Sequence, residues 1–199
     1  MEVRPDGVTL ASGEKLKAPI VVVATDLAAA RQLLPEMPRL AFRGTTCFYF
    51  AAEKPPISEP MLVLNGDGQG PVNNLCVPSV VAPSYAPSGS HLVSVTVVGN
   101  SLVAADELLA AVRKQLGEWF GRDVLGWRHL RTDWIPNALP EQTPSSGGAG
   151  AKDISVQPGL YVCGDHRDTA SINGALLSGR RVAEAVVKSL DGDRSTIRD

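Results

Sequence analysis

The spacing of apolar and polar positions changes period several times along the chain, and each change marks an element. At the start, Asp6-Gly7 predicts a hairpin turn between short β-prone runs. Val8-Thr9-Leu10, Ser12 to Lys15 and Leu16 to Ile20 extend it into a small meander of short strands. Ile20-Val21-Val22-Val23-Ala24 is continuously apolar rather than alternating, which predicts a strand covered on both faces. Asp26 stands where it would cap a helix over Leu27 to Leu34, and Pro35 and Pro38 would stop it.

From residue 40 to residue 100 the pattern is that of strands. Thr45 to Ala52, Met61 to Leu64, Val72 to Val77 and Leu92 to Val98 are separated by clusters of Gly, Pro, Asn and Ser, as in an antiparallel or mixed sheet. Phe48, Tyr49 and Phe50 are expected in its core rather than around a substrate. The period then lengthens to that of a helix. Leu108, Leu109, Val112, Leu116, Trp119 and Phe120 form an apolar face over Ala104 to Phe120. Asp106 and Glu107 suit its positive end, and Gly121 can end it. Leu130 to Ile135 predicts one more strand, and Pro136 to Pro144 an extended loop with three prolines. Ser145 to Ala151 reads as a mobile linker. A strand over Leu160 to Cys163 and a helix over about Ile172 to Leu190 follow. Val182, Ala183, Val186, Val187 and Leu190 form that helix's expected core stripe. The tail from Asp191 is polar and expected to fray. The fold class is therefore mixed α/β.

Bulk composition narrows the function classes. With 199 residues, 44% of them hydrophobic and 20% charged, the chain can bury a sizeable core. A net charge of -2 argues against a nucleic-acid partner. Cys47, Cys76 and Cys163 are too few and too widely spaced for a disulfide framework or a zinc site, so a reducing intracellular compartment is expected. No apolar run is long enough for a transmembrane segment, which needs roughly 20 residues. Without G-x-S-x-G, a serine hydrolase is not expected. The first residues lack the apolar stretch of a signal peptide and read as the interior of a domain, so the chain is expected to begin within a larger fold.

The chemistry concentrates near the end. Gly159-Leu160-Tyr161-Val162-Cys163-Gly164-Asp165 is a buried strand running into Gly-Asp. Glycine at 164 lets a ligand approach the backbone. Asp165, at the carboxyl end of the strand, is placed to accept hydrogen bonds from sugar-like hydroxyls. In the helix that follows, Gly174, Ala175, Ser178 and Gly179 keep the first turns slim, so free N–H groups and the positive dipole end face the sheet edge. An electron-accepting ring that gains negative charge would be stabilised there. Asp165, His166 and Asp168 otherwise read as a solvated loop. One histidine and two carboxylates fall short of a metal site, and none is expected. His91 and His129 read as structural, Cys163 as a small core residue, and Arg180-Arg181 as a solvated helix face.

This string resembles the end of FAD-dependent oxidoreductases of the amine oxidase, protoporphyrinogen oxidase and phytoene desaturase superfamily. Those proteins have an apolar strand, Gly-Asp or Gly-Glu, a loop, Gly-Ala, then Ser-Gly on a helix. The match is at Gly164-Asp165, Gly174-Ala175 and Ser178-Gly179. The resemblance implies FAD as cofactor. Gly164 and Asp165 would contact its ribityl or pyrophosphate, and the backbone of Asn173, Gly174 and Ala175 would face the pyrimidine end of the flavin. Val3 to Thr25 resembles the family's meander. Trp134-Ile135-Pro136 resembles a segment that approaches the flavin from the substrate side, which marks Trp134 and Pro136.

The implied architecture is a partial FAD-binding Rossmann-like domain plus a substrate domain with an antiparallel or mixed β-sheet. The meander and returning strand would occupy 1–26, the substrate domain 27–155, the closing strand and helix 156–190, and a flexible tail 191–199. Three features depart from the family. No G-x-G-x-x-G follows a strand, no lysine lies within Thr45 to Ala52, and Ser171-Ile172 stands where an aromatic residue precedes Gly-Ala. The implied activity is hydride transfer from a substrate C–H to flavin, desaturase-like or amine-oxidase-like, with a small, apolar substrate. The implied partner is an N-terminal FAD-binding half or a separate chain. The alternative is a catalytically silent truncated module or interaction subunit lacking a complete FAD site.

Overall fold

The computed structural model describes residues 1–100, 103–144 and 150–196, with side chains described as far as residue 191. The chain forms two compact units, one from Met1–Phe42 with Leu139–Asp199 and one from Arg43–Ala138. The expected boundaries at 26/27 and 155/156 thus lie elsewhere. The reason for the first is packing: Leu27, Ala30, Leu34 and Met37 are buried with Val21, Val23, Leu160 and Val162, so the helix after Asp26 belongs with the strand before it.

In the first unit, β1 (Glu2–Arg4), β2 (Gly7–Thr9) and β3 (Lys15–Lys17) make an antiparallel meander. Arg4 pairs with Gly7, so the two-residue turn is Pro5-Asp6 and Gly7 already belongs to the strand. Gly7 has a reason of its own to be glycine. A Cβ there would stand 2.2 Å from the carbonyl oxygen of Leu16 on β3.

Next come β4 (Val21–Val23) and α1 (Leu27–Leu33), whose Ala29 N–H donates to the Asp26 carboxylate at 3.0 Å. After the second unit the chain returns as β10 (Ser155–Gln157) and β11 (Leu160–Val162). β11 is parallel to β4 and antiparallel to β10, giving the order β10-β11-β4. A 3-10 turn over Asp165–Arg167 leads to α4 (Ile172–Thr196). The helix runs past the position where the frayed tail was expected, and residues 197–199 lie outside the described residues.

Two clusters flank the sheet: Leu160 and Val162 face the α1 side, while Tyr161 and Cys163 pack with Val182 of α4. Val22 shares the face of Tyr161, with which it is in register, yet it is 42% exposed. β4 is therefore covered on one face only. It is the edge strand, and on the α4 side the buried cluster is built on Tyr161 and Cys163 instead. The expected core stripe of α4 narrows likewise: Val182 is buried, but Val187 and Leu190 are exposed.

The second unit is a five-stranded sheet in the order β6-β7-β8-β5-β9. Its strands are β5 (Phe42–Ala52), β6 (Val63–Leu64), β7 (Asn74–Cys76), β8 (His91–Val98) and β9 (Arg128–Pro140). β7 pairs antiparallel with β6 and β8, and β8 with β5. β9 continues through Pro136, where an extended loop was expected, because it lies at the edge of the sheet and an edge strand tolerates a missing N–H. The short α2 (Pro78–Val81) follows β7, and α3 (Ala105–Phe120) ends at Gly121, whose φ is 75°. Leu108, Val112 and Leu116 of α3 share one core with Phe48, Phe50, Leu75, Val93 and Val95. Of the expected mobile linker, 145–149 lie outside the described residues.

Candidate functional site

The segment after β11 is built around Gly164. Its φ is 149°, and a Cβ there would meet the His166 ring at 2.5 Å and the Thr25 carbonyl oxygen at 3.2 Å. The space that glycine leaves open is thus held by the protein's own histidine. Ser178, fully buried on α4, fastens the same turn. Its Oγ accepts from the Gly164 N–H at 2.9 Å and lies 2.8 Å from the Gly164 carbonyl, to which it can donate. Gly174 has the same kind of reason, since a Cβ there would stand 1.9 Å from the Thr169 carbonyl oxygen. The small residues of α4 seat the helix against the 164–169 turn.

The helix N-terminus is partly satisfied from within. The Ser171 Oγ accepts from the Gly174 N–H, and the Ser171 carbonyl accepts from the Ala175 N–H, both at 3.0 Å. Of the three backbone positions expected to face a flavin, Gly174 and Ala175 already have partners. Among the described residues, the N–H groups of Ile172 and Asn173 have none. Ile172, Leu176 and Leu177 leave this end of the helix apolar and open, at 82%, 68% and 42% exposure.

Two residues depart from the expected solvated loop and one from the expected solvated helix face. His166 is 2% exposed and Asp168 9%. Arg181 points inward, unlike its neighbour Arg180. Its guanidinium donates to the Lys152 carbonyl at 2.9 Å and the Arg167 carbonyl at 2.7 Å, and lies 3.4 Å from the Asp168 carboxylate. The 3-10 turn explains the difference, because it curls 165–167 back under Gly164 and carries the imidazole inside. Gln142 holds the far side, donating to the Asp168 carbonyl at 2.6 Å and accepting from the Ala170 N–H at 2.8 Å. Neither Gln142 nor Arg181 shows a motif in the sequence that marks it for this task. The Asp165 side chain, 24% exposed, makes no hydrogen bond among the described residues. Burial pushes the His166 pKa down from its ordinary value; Arg167 and Lys152 act in the same direction, and Asp165 opposes them.

In the second unit, Phe48 and Phe50 are core as expected, but Tyr49 is half-buried and lies on the opposite face of β5. Burial, Cys47 and Asp133 raise the Tyr49 phenol pKa, so it is a neutral donor at neutral pH. Trp134 is 64% exposed on β9, and Pro136 is exposed beside it. His129 contacts Thr132 at 2.9 Å and packs on Phe48 and Phe50, as a structural histidine does. Among the described residues no group of three or more His, Cys, Asp or Glu could hold a metal, and no helix is long and apolar enough to cross a membrane.

A strand running into Gly-Asp, a tight turn and a small-residue helix start make up this end of the first unit. The model of flavin-containing amine oxidoreductases matches residues 2–187. The chain belongs to that family. No curated protein sequence matches it. Among solved structures, an oxidoreductase from Methanosarcina mazei is similar with 17% identity and a TM-score of 0.64, over 86% of this chain and 44% of that one. Cyclohexylamine oxidase from Brevibacterium oxydans is similar with 15% identity and a TM-score of 0.61, over 96% of this chain and 47% of that one. A reduced UDP-galactopyranose mutase matches with 13% identity and a TM-score of 0.60, over 83% and 39%. The chain thus spans less than half the length of these solved relatives, and the fold it shares with them is mixed α/β.

Proposed function

We propose that this chain is the portion of an FAD-dependent oxidoreductase that receives the flavin end of the cofactor and carries the substrate domain. One observation carries the reading: Asp165, whose carboxylate has no hydrogen-bond partner among the described residues, stands just after β11 beside a helix whose first two N–H groups, those of Ile172 and Asn173, likewise have none there. The pair suits a ligand that offers hydroxyls on one side and an electron-rich edge on the other. Asp165 would accept from ribityl hydroxyls, the Asn173 N–H would donate to the pyrimidine edge, and Gly164, Gly174 and Ala175 would shape the wall beside them. Ile172 and Leu176 would give the ring an apolar, water-excluding neighbour. FAD bound there would supply the electron acceptor for removal of hydride from a substrate C–H.

Trp134 and Pro136 are proposed to stand on the substrate side. The strand β5 holds no lysine, which favours desaturase-like over amine-oxidase-like chemistry on an apolar substrate. The exposed edge of β4 supports a second reading, in which the chain is a module completed by a dinucleotide-binding segment on another chain.

An FAD titration tests the first reading. The expected outcome is quenching of flavin fluorescence and a perturbed visible spectrum that survives desalting, both lost in Asp165→Ala. If FAD fails to bind both to the chain alone and to the chain supplied with a dinucleotide-binding half in trans, the reading is wrong. Binding only with that half present favours the second.

A further inference from the structure

His166 has no role in the site as described, yet it is the most unusual polar group in the first unit. Its side chain is 1% exposed, and neither ring nitrogen has a hydrogen-bond partner among the described residues. An unpaired buried donor or acceptor is costly and uncommon in a folded protein, so this ring calls for an explanation. The nearest candidate partner is the Asp165 carboxylate, whose Oδ1 lies 3.7 Å from Nδ1, too long for a hydrogen bond. The ring itself cannot adjust much. Its Cε1 and Nδ1 are wedged 2.5 and 2.6 Å from the point where a Cβ of residue 164 would stand. The carboxylate, partly exposed and otherwise unbonded, can turn.

Charge fixes what the ring can do. Arg167 and Lys152 face it along with Asp165, and its enclosure disfavours a cation. A neutral imidazole carries one N–H, and the Asp165 carboxylate, the acceptor whose own position can adjust, lies on the Nδ1 side. We propose that His166 is a positioning residue that turns the Asp165 carboxylate, through an Nδ1–H···Oδ1 hydrogen bond, into the orientation that accepts hydroxyls of a bound polyol chain. This rests on the proposed reading of Asp165 as the residue that receives the ribityl hydroxyls. Gly164 then has a functional consequence, because only glycine leaves room for the ring that aims its neighbour.

The test separates the couple from the cofactor. Nitrogen-15 spectra of the histidine side chains in the full chain, near neutral pH, should show His166 neutral with its proton on Nδ1. Asp165→Ala, a change at a partly exposed position, should abolish that preference. A proton on Nε2 in the wild type, or a tautomer unmoved by Asp165→Ala, overturns the proposal. FAD affinity is then measured for both single variants and the double variant. His166→Gln should weaken FAD about tenfold in the wild-type background, the size of one hydrogen bond to a charged group, and hardly at all beside Asp165→Ala. Equal losses in both backgrounds would also overturn it. If no FAD binds but the tautomer behaves as stated, the couple stands and the cofactor reading is what fails.

Discussion

At the level of single residues, the expectations that held were those set by backbone chemistry. Asp26 caps α1 and Gly121 closes α3, because a carboxylate and a glycine solve local problems that neighbouring sequence states in full. The sequence predicts solvated positions for His166 and Arg181, yet His166 is buried and the Arg181 guanidinium turns inward. Nothing within a few positions of His166 says that a 3-10 turn will fold it under Gly164. Nor does the pair Arg180-Arg181 say which guanidinium meets the Arg167 carbonyl and Asp168 carboxylate of the loop and the Lys152 carbonyl beside it. The burial of His166 has a thermodynamic consequence. Its folded-state pKa lies below the ordinary 6.5, so between those two values the unfolded chain binds a proton that the folded chain does not. Stability therefore rises with pH through that window and is flat above it, as far as this group is concerned. Chemical denaturation of the wild type between neutral and mildly acidic pH should show stability falling once the pH drops below 6.5. His166→Gln should flatten that fall. An unchanged slope in the variant would assign it to other groups.

At the level of elements, Phe48 and Phe50 lie in the core as expected while Tyr49, expected with them, takes the other face of β5, and the helical spacing of Leu108, Val112 and Leu116 marks the face of α3 that packs on that core. Period alone could not tell how far an element is covered. The continuous apolarity of Val21-Val22-Val23 matches a strand buried on both faces, but coverage depends on which helix lies above it, and Val22 is left open. The small residues of α4 were legible as a slim helix start, though not their immediate task of seating the 164–169 turn. Arg181 ties α4 both to that turn and to the segment before β10, donating to the Arg167 and Lys152 carbonyls and reaching the Asp168 carboxylate at 3.4 Å. Arg181→Ala should destabilise the first unit by about 2 kcal/mol, the range for hydrogen bonds to a charged group. Arg181→Lys should recover only part of this, because an ammonium cannot fork to both carbonyls. Hydrogen exchange should show the loss as faster exchange at the Lys152 and Arg167 amides, which hydrogen-bond within the 164–167 turn region. Full recovery by lysine would mean that charge alone, rather than the fork, matters.

At the level of the molecule, family and fold class were legible because one string, Gly164 to Gly179, combines a strand end, a turn and a helix start at fixed spacing. The free boundary of the sheet was not legible, since it depends on which strands share the sheet. In the order β10-β11-β4, Val21 and Val23 bond to the β11 side, and the outward N–H and C=O of Val22 have no ladder partner among the described residues. Folded proteins guard such an edge with lysine, proline, a bulge or a covering helix. This edge is three valines, with the middle one 42% exposed. An unguarded β-branched edge pairs with whatever strand is offered, so the chain by itself should associate as its concentration rises. Sedimentation velocity over a range of concentrations should show growth of dimers or larger species. Val22→Lys should shift the distribution to monomer while leaving the buried faces of Val21 and Val23 untouched. A dinucleotide-binding segment added in trans should suppress association of the wild type as well, because it competes for the same edge. Should the wild type stay monomeric at every concentration and bind no such segment, the edge is closed in solution, and the reading of this chain as a module awaiting a further strand would have to be given up.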